Sequence, residues 1–118
     1  MQALPTPPET PAAACCCADP LDGALAAPLF RALGDPTRSR LLACLVKCRR
    51  PCSATELAGC CELDFSTVHR HLAVLVRSGL IASRKEGRTV WYEASAGELA
   101  GHFHRIGDHL ARWATAPA

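Results

Sequence analysis

Ser53-Ala-Thr-Glu-Leu-Ala-Gly-Cys-Cys-Glu-Leu-Asp-Phe-Ser-Thr-Val-His-Arg-His-Leu-Ala-Val-Leu-Val-Arg-Ser-Gly79 is the stretch whose reading decides the fold. It opens on a capping box. Ser53 supplies an oxygen to the first turn, and Glu56, three residues on, reaches back to the Ser53 amide. A short helix then runs to about Cys60, and Glu62-Leu63 forms a turn. Asp64 caps a second, longer helix predicted over 65–77. Its inward face is Val68, Leu72, Leu75 and Val76, and Gly79 supplies the left-handed residue that stops it. A short capped helix, a tight turn and a second capped helix make a helix-turn-helix.

Working outward, Asp19 can cap an earlier helix with Pro20 at its first position. Leu21, Leu25, Leu29, Phe30 and Leu33 continue an apolar stripe that Pro28 kinks or breaks. Gly34-Asp35-Pro36 is a junction: Gly34 closes one helix, Asp35 caps the next, and Pro36 takes its first turn. That helix runs to about Lys47, with Leu41, Cys44, Leu45 and Cys48 on one face, and Arg49-Arg50-Pro51 ends it. Downstream, residues 80–84 and 89–92 are β-prone. Lys85-Glu86-Gly87-Arg88 between them reads as a charged hairpin turn. From about Ala96 a last helix carries Leu99, Phe103, Ile106, Leu110 and Trp113, a stripe suited to pairing with a second copy. The fold class is therefore mainly α with a β-hairpin wing, a winged helix-turn-helix over residues 19–114. Residues 1–18 read as a flexible, Pro- and Ala-rich arm bearing cysteines, and 115–118 as a tail.

Composition narrows the functional classes. The chain has 118 residues, 49% hydrophobic and 5% aromatic, a balance that favours helices and fits one domain. The net charge of +2 says little about partners. Its distribution says more: Arg70, Arg77, Arg84, Lys85 and Arg88 are clustered against one acid, Glu86, which suits a polyanion. In a helix-turn-helix the second helix offers its N-terminal residues to base edges in the major groove. Here these are Phe65, Ser66, Thr67, His69 and Arg70, while Lys85 and Arg88 at the hairpin meet backbone phosphate or the minor groove. No Cys-x-x-Cys, Gly-rich phosphate loop or Ser/His/Asp constellation is present, so an enzyme is not expected. No apolar run is long enough to span a membrane and no signal peptide is visible, so a cytoplasmic location with reduced thiols is expected.

Eight cysteines in 118 residues is a high count. They fall as Cys15-Cys16-Cys17 in the arm, Cys44, Cys48 and Cys52 around the end of one helix, and the Cys60-Cys61 pair at the turn. Thiolates select thiophilic ions: three suit pyramidal As(III) or Sb(III), four suit a tetrahedral divalent ion such as Cd, Pb, Hg or Zn. Cys44 reads as a small core residue. Cys15, Cys16, Cys17, Cys48, Cys52, Cys60 and Cys61 are candidate ligands. Cys52 is expected to have a lowered pKa beside a helix N-terminus. Vicinal thiols that oxidise to disulfides are the alternative reading.

Phe30-Arg-Ala-Leu-Gly-Asp-Pro-Thr-Arg38, Thr55-Glu-Leu57, Ser66-Thr-Val-His-Arg-His-Leu72, Ser78-Gly-Leu80 and Arg84-Lys-Glu-Gly-Arg88 with Trp91-Tyr92 together resemble the ArsR/SmtB family of metal(loid)-sensing repressors, in its arsenic-sensing form. The resemblance covers about residues 25–113. It implies a homodimeric repressor on double-stranded operator DNA with dyad symmetry, with Ser66, Thr67, His69 and Arg70 in the groove and Arg88 on the wing. One sensing site of the family joins N-terminal cysteines to cysteines near the start of the helix before the recognition helix. Cys15 and Cys16 with Cys52 or Cys48 fit that layout, although the family's Cys-x-Cys is replaced by Cys52-Ser-Ala-Thr-Glu-Leu. The family's zinc site on the last helix is matched only by His109. His71 occupies a position that is His across the family, where contact with DNA and packing at the turn both remain open. His102 and His104 are read as solvated or dimer-face residues.

Overall fold

The structure is a computed structural model that describes residues 9–16, 18–26 and 28–114. In chain order the elements are α1 (Pro11–Cys16), α2 (Pro20–Leu25), α3 (Pro28–Leu33), α4 (Pro36–Cys48), β1 (Cys52–Ser53), α5 (Ala54–Cys61), α6 (Phe65–Arg77), β2 (Ala82–Glu86), β3 (Thr89–Glu93) and α7 (Ala96–Ala114). The chain divides into two compact units, residues 28–99 and the two chain ends, 1–27 with 100–118.

In the unit of residues 28–99, Leu41, Leu42 and Leu45 of α4, Leu57 of α5 and Val68, Leu72 and Leu75 of α6 form the buried core. Side chains close the ends of these helices. The Asp35 carboxylate accepts from the Thr37 and Arg38 amides (2.8 and 3.2 Å) and so starts α4. The last carbonyls of α3 are taken by side chains of α4. Arg38 donates to Ala32 O (2.7 Å) and Arg31 O (3.2 Å), and the Ser39 hydroxyl to Leu33 O (2.9 Å). Gly34 keeps a negative φ, so the left-handed closure expected there does not occur. Its small size still matters, because a Cβ would stand 3.3 Å from the Arg31 carbonyl oxygen.

The sheet has the order β1-β3-β2 and is antiparallel throughout. Three strand boundaries move from their expected places: both ends of β2, and the end of β3, which runs on to Glu93. β2 begins at Ala82 and includes Lys85 and Glu86, leaving Gly87-Arg88 as a two-residue loop between the paired Glu86 and Thr89. Gly87 has φ +60°, which suits the Gly-first loop of a type II′ hairpin. The sequence reading also lacked β1. Cys52 pairs with Tyr92 and Ser53 with Trp91, a ladder closed across 40 residues.

In the other unit, Asp19 starts α2 through a reciprocal box with Asp22. The Asp19 carboxylate also accepts from the Trp113 indole N–H (3.3 Å) and pairs with Arg112 at 3.9 Å. The backbone of Pro11–Cys16 is helical, whereas no element was expected in the arm before Asp19. No helix is long and apolar enough to cross a membrane among the described residues.

Candidate nucleic-acid interface and thiol cluster

α6 has the predicted limits. The Asp64 carboxylate accepts from the Thr67 amide (3.0 Å), the Ser66 hydroxyl (2.6 Å) and the Thr67 hydroxyl (2.5 Å). These donors, the Ser66 hydroxyl first, hold the Asp64 carboxyl far below the usual carboxylate range. At the other end Leu80 N–H bonds Leu75 O and Gly79 N–H bonds Val76 O, both at 3.1 Å, with Gly79 at φ +79°. This is the Schellman closure that glycine permits. Val68, Leu72 and Leu75 are buried, while Val76, expected inward, is only half-buried. The turn before α6 uses Glu62 at φ 55°, a left-handed position without glycine.

The opposite face of α6 is open. Phe65 is 54% exposed, a large apolar ring left in solvent at the start of the helix. It stacks on His69, with ring centroids 5.9 Å apart. Ser66, His69 and Arg70 are exposed and Thr67 is half-buried. A groove of about 260 Å³ between the first turn of α6 and the hairpin is lined by Thr55, Phe65, His69, Arg88 and Val90. Arg88 of the wing is thus brought beside the α6 candidates. Lys85 sits within β2 opposite Val90 rather than at the tip, so it shares a sheet face with a groove-lining residue. His71 is half-buried, with Nδ1 3.4 Å from an Arg38 guanidinium nitrogen. It packs at the α3–α4 junction and leaves the groove side to His69.

The cysteines are gathered in a way that no spacing rule showed. The Cys44 thiol lies near Cys60, Cys48 and Cys61. Cys52 lies near Cys48. Cys48 and Cys60 are exposed, Cys52 and Cys61 buried and Cys44 half-buried, all five as free thiols. Arg40 of α4 donates to Cys61 O (3.1 Å) and ties the two helices together there. One expectation changes. Cys52 does not have a lowered pKa: burial and the neighbouring Cys48 push it up to about 11, and burial pushes the half-buried Cys44 to about 12. The N-cap at α5 is Ser53, which together with Glu56 occupies the helix end. Cys52 faces the core from β1, with its Sγ 3.5 Å from Arg50 O.

Among the described residues no three His, Cys, Asp or Glu side chains converge closely enough to hold a metal ion. Cys17 lies outside the described residues, as do the side chains of Cys15 and Cys16.

The helix-turn-helix domain family matches residues 33–84. An ArsR-like transcriptional regulator from Rhodococcus sp. RHA1 is 32% identical, with a TM-score of 0.67, over 80% of this chain and 87% of that one. The transcriptional activator HlyU of Vibrio cholerae is 36% identical over 66% of this chain and 70% of its own length. This chain belongs to the ArsR/SmtB family. The family is one of winged helix-turn-helix transcriptional regulators that bind DNA, and its members are not enzymes. The transcriptional repressor SmtB homolog of Synechocystis is 31% identical over 71% of this chain, and the match spans 62% of that relative's length. Membership places α6 as the recognition helix and β2–β3 as the wing. Cys44, read from the sequence as a core residue, lies near Cys48, Cys60 and Cys61. A signal existed in its four-residue spacing from Cys48, but the approach of Cys60 depends on how α5 packs against α4.

Proposed function

We propose that the protein is a homodimeric transcriptional repressor whose hold on an operator of dyad symmetry is released when cysteine thiolates bind a thiophilic metal or metalloid ion, As(III) or Sb(III) before Cd, Pb, Hg or Zn. The observation that carries this reading is the proximity of the thiols. Cys44 lies near Cys48, Cys60 and Cys61, Cys52 lies near Cys48, and three residues separate Cys61 from Phe65, the first residue of the recognition helix. An ion drawn into that group acts on the short segment that aims α6.

The DNA side rests on exposed groups of the right chemistry. Arg70 forks onto a guanine edge, Phe65 offers apolar contact to a thymine methyl, and Lys85 and Arg88 take phosphates. The ligand side draws on Cys48, Cys52, Cys60 and Cys61. Cys15, Cys16 and Cys17 of the arm are the further donors that the family's N-terminal sensing layout implies. Thiolates are the ligating form, so the high pKa of Cys52 makes ion binding release protons and strengthen with pH. Release requires the ion to favour the DNA-free form, with a coupling of about 1–3 kcal/mol.

The test is a mobility shift of the protein's own promoter DNA under reducing conditions, with arsenite, antimonite, Cd(II) or Hg(II) added. Arsenite should weaken DNA binding about 5–150-fold. Binding unchanged by all four ions overturns ion-driven release. Cys15→Ser with Cys16→Ser should keep DNA binding and abolish release. The neighbouring thiols Cys44 and Cys60, and Cys48 and Cys52, each pair a more exposed thiol with a less exposed one, which also favours a dithiol switch. In that case peroxide would release DNA, and dithiothreitol would restore binding.

A further inference from the structure

We propose that Asp64 sets the base preference of the recognition helix by holding the hydroxyl protons of Ser66 and Thr67, so that both hydroxyls can only accept hydrogen bonds and favour the amino groups of adenine or cytosine. This rests on the DNA-reading role proposed above and specifies what these two side chains read.

The argument is a proton count. The Ser66 hydroxyl stands 2.6 Å from one Asp64 carboxylate oxygen, and the Thr67 hydroxyl 2.5 Å from the other. An ionised carboxylate has no proton to give, so each hydroxyl is the donor. A serine or threonine hydroxyl carries one proton and two acceptor lone pairs. With that proton directed to Asp64, whatever meets the hydroxyl from outside must itself be a donor. In the major groove the donors are adenine N6 and cytosine N4; guanine N7 and O6 and thymine O4 are acceptors, as are phosphate oxygens. Without this lock, serine and threonine are the least selective readers, able to serve any base or the backbone.

The same carboxylate accounts for a second contact. The Thr67 amide donates to it at 3.0 Å, so this amide of the first turn is also taken. A helix N-terminus ordinarily attracts phosphate. Here it already holds an anion belonging to the chain, which disfavours a phosphate docked end-on and leaves the hydroxyls to face base edges. Arg70, one turn on, can only donate. The two kinds of reader are therefore complementary: Arg70 for guanine, the locked hydroxyls for an amino base.

The experiment selects bound duplexes from a random-sequence library with the full chain, reduced and free of added metal. It is repeated with Ser66→Ala, Thr67→Val and Asp64→Asn. In the wild type, positions whose preference collapses in Ser66→Ala or Thr67→Val should carry adenine or cytosine on the strand being read. Asn at position 64 still caps the Thr67 amide through the oxygen that also takes the Ser66 proton, while its NH₂ replaces the oxygen facing the Thr67 hydroxyl and frees that proton. Guanine and thymine should then become acceptable at the position that Thr67 reads, and the Ser66 position should keep its preference. Losing a negative charge raises affinity for every duplex alike, so the readout is the ratio between bases at one position. A chemical deletion needs no protein variant: a selected adenine is replaced by deoxynebularine, which lacks the amino group. That should weaken wild-type binding about fivefold to tenfold. It should cost nothing further in the variant whose hydroxyl read that base. No penalty for the missing amino group at a hydroxyl-dependent position overturns the proposal. So does selection of a defined site in which neither Ser66→Ala nor Thr67→Val changes any position, which leaves DNA reading intact. Selection of no sequence at all overturns the DNA-reading role and this proposal with it.

Discussion

α6 and α7 carry the same kind of apolar stripe and end up in different surroundings. In α6, Val68, Leu72 and Leu75 are completely buried. In α7, Leu99 and Ile106 are buried, but Phe103 and Leu110 remain 45% and 47% exposed. Periodicity identifies a helix and the face that needs cover. It does not say whether the cover comes from the same chain. α6 is covered within its own unit, while α7 presents two large apolar side chains to solvent, the pattern expected of a helix that pairs with a second copy.

The largest effect that separates the two helices is in the core. Leu72→Ala should destabilise the fold by about 2–5 kcal/mol, measured by urea denaturation. Leu110→Ala should change single-chain stability by only roughly 0.5 kcal/mol. Its effect should instead appear in association, as a lost dependence of the unfolding midpoint on protein concentration. If Leu110→Ala matched Leu72→Ala in very dilute protein, α7 would be covered within the chain and the contrast would fail.

Glycine sharpens the comparison with one substitution that has two signs. Gly79 ends α6 at φ +79°, so Gly79→Ala should cost about 1–2 kcal/mol. Gly107 lies inside α7, and an added Cβ there meets nothing within 4 Å. Gly107→Ala should stabilise by roughly 0.5–1 kcal/mol. Thermal melts of the two variants should therefore move in opposite directions.

The smallest difference lies in the caps. α6 starts on a carboxylate, and α7 on the Ser95 hydroxyl, which accepts from the Glu98 amide at 3.2 Å. The folded pKa of Asp64 is lowered, so its stabilisation is complete above the unfolded carboxylate range. It is lost as pH falls below about 4 towards the folded value. The stability gap between wild type and Asp64→Asn should be flat above about pH 5 and shrink in acid. The gap for Ser95→Ala should not change over that range. Equal acid sensitivity of the two gaps would show that Asp64 does not carry the α6 cap.

Much of the architecture was readable before any packing was known, because caps are local chemistry. Asp35, Ser53, Asp64 and Gly79 each act on atoms a few residues away, and each marks its helix end where the structure has it. The DNA-facing candidates followed from the same signals, since the N-terminus of α6 fixes which residues come first. The hairpin was legible in kind but displaced, because strand limits depend on the partner's register. β1 was invisible: two residues carry no alternation, and Cys52 becomes a strand only by pairing with Tyr92. The sulfur chemistry was the least legible part. Cys52 looked like an activated thiol at a helix start, yet its side chain faces the core, and burial raises its pKa to about 11.

By itself, then, the sequence determined where the helices of the domain begin and end, that two of them form a helix-turn-helix, and which side chains its second helix presents first. Those are outcomes of backbone hydrogen-bonding groups satisfied within one or two turns. Tertiary structure alone decided that Cys44 lies near Cys60, that Arg88 stands beside Phe65 and His69, and that His71 turns to Arg38. Those pairs are 16 or more residues apart, and what brings them together is the burial of leucines on other faces of the same helices.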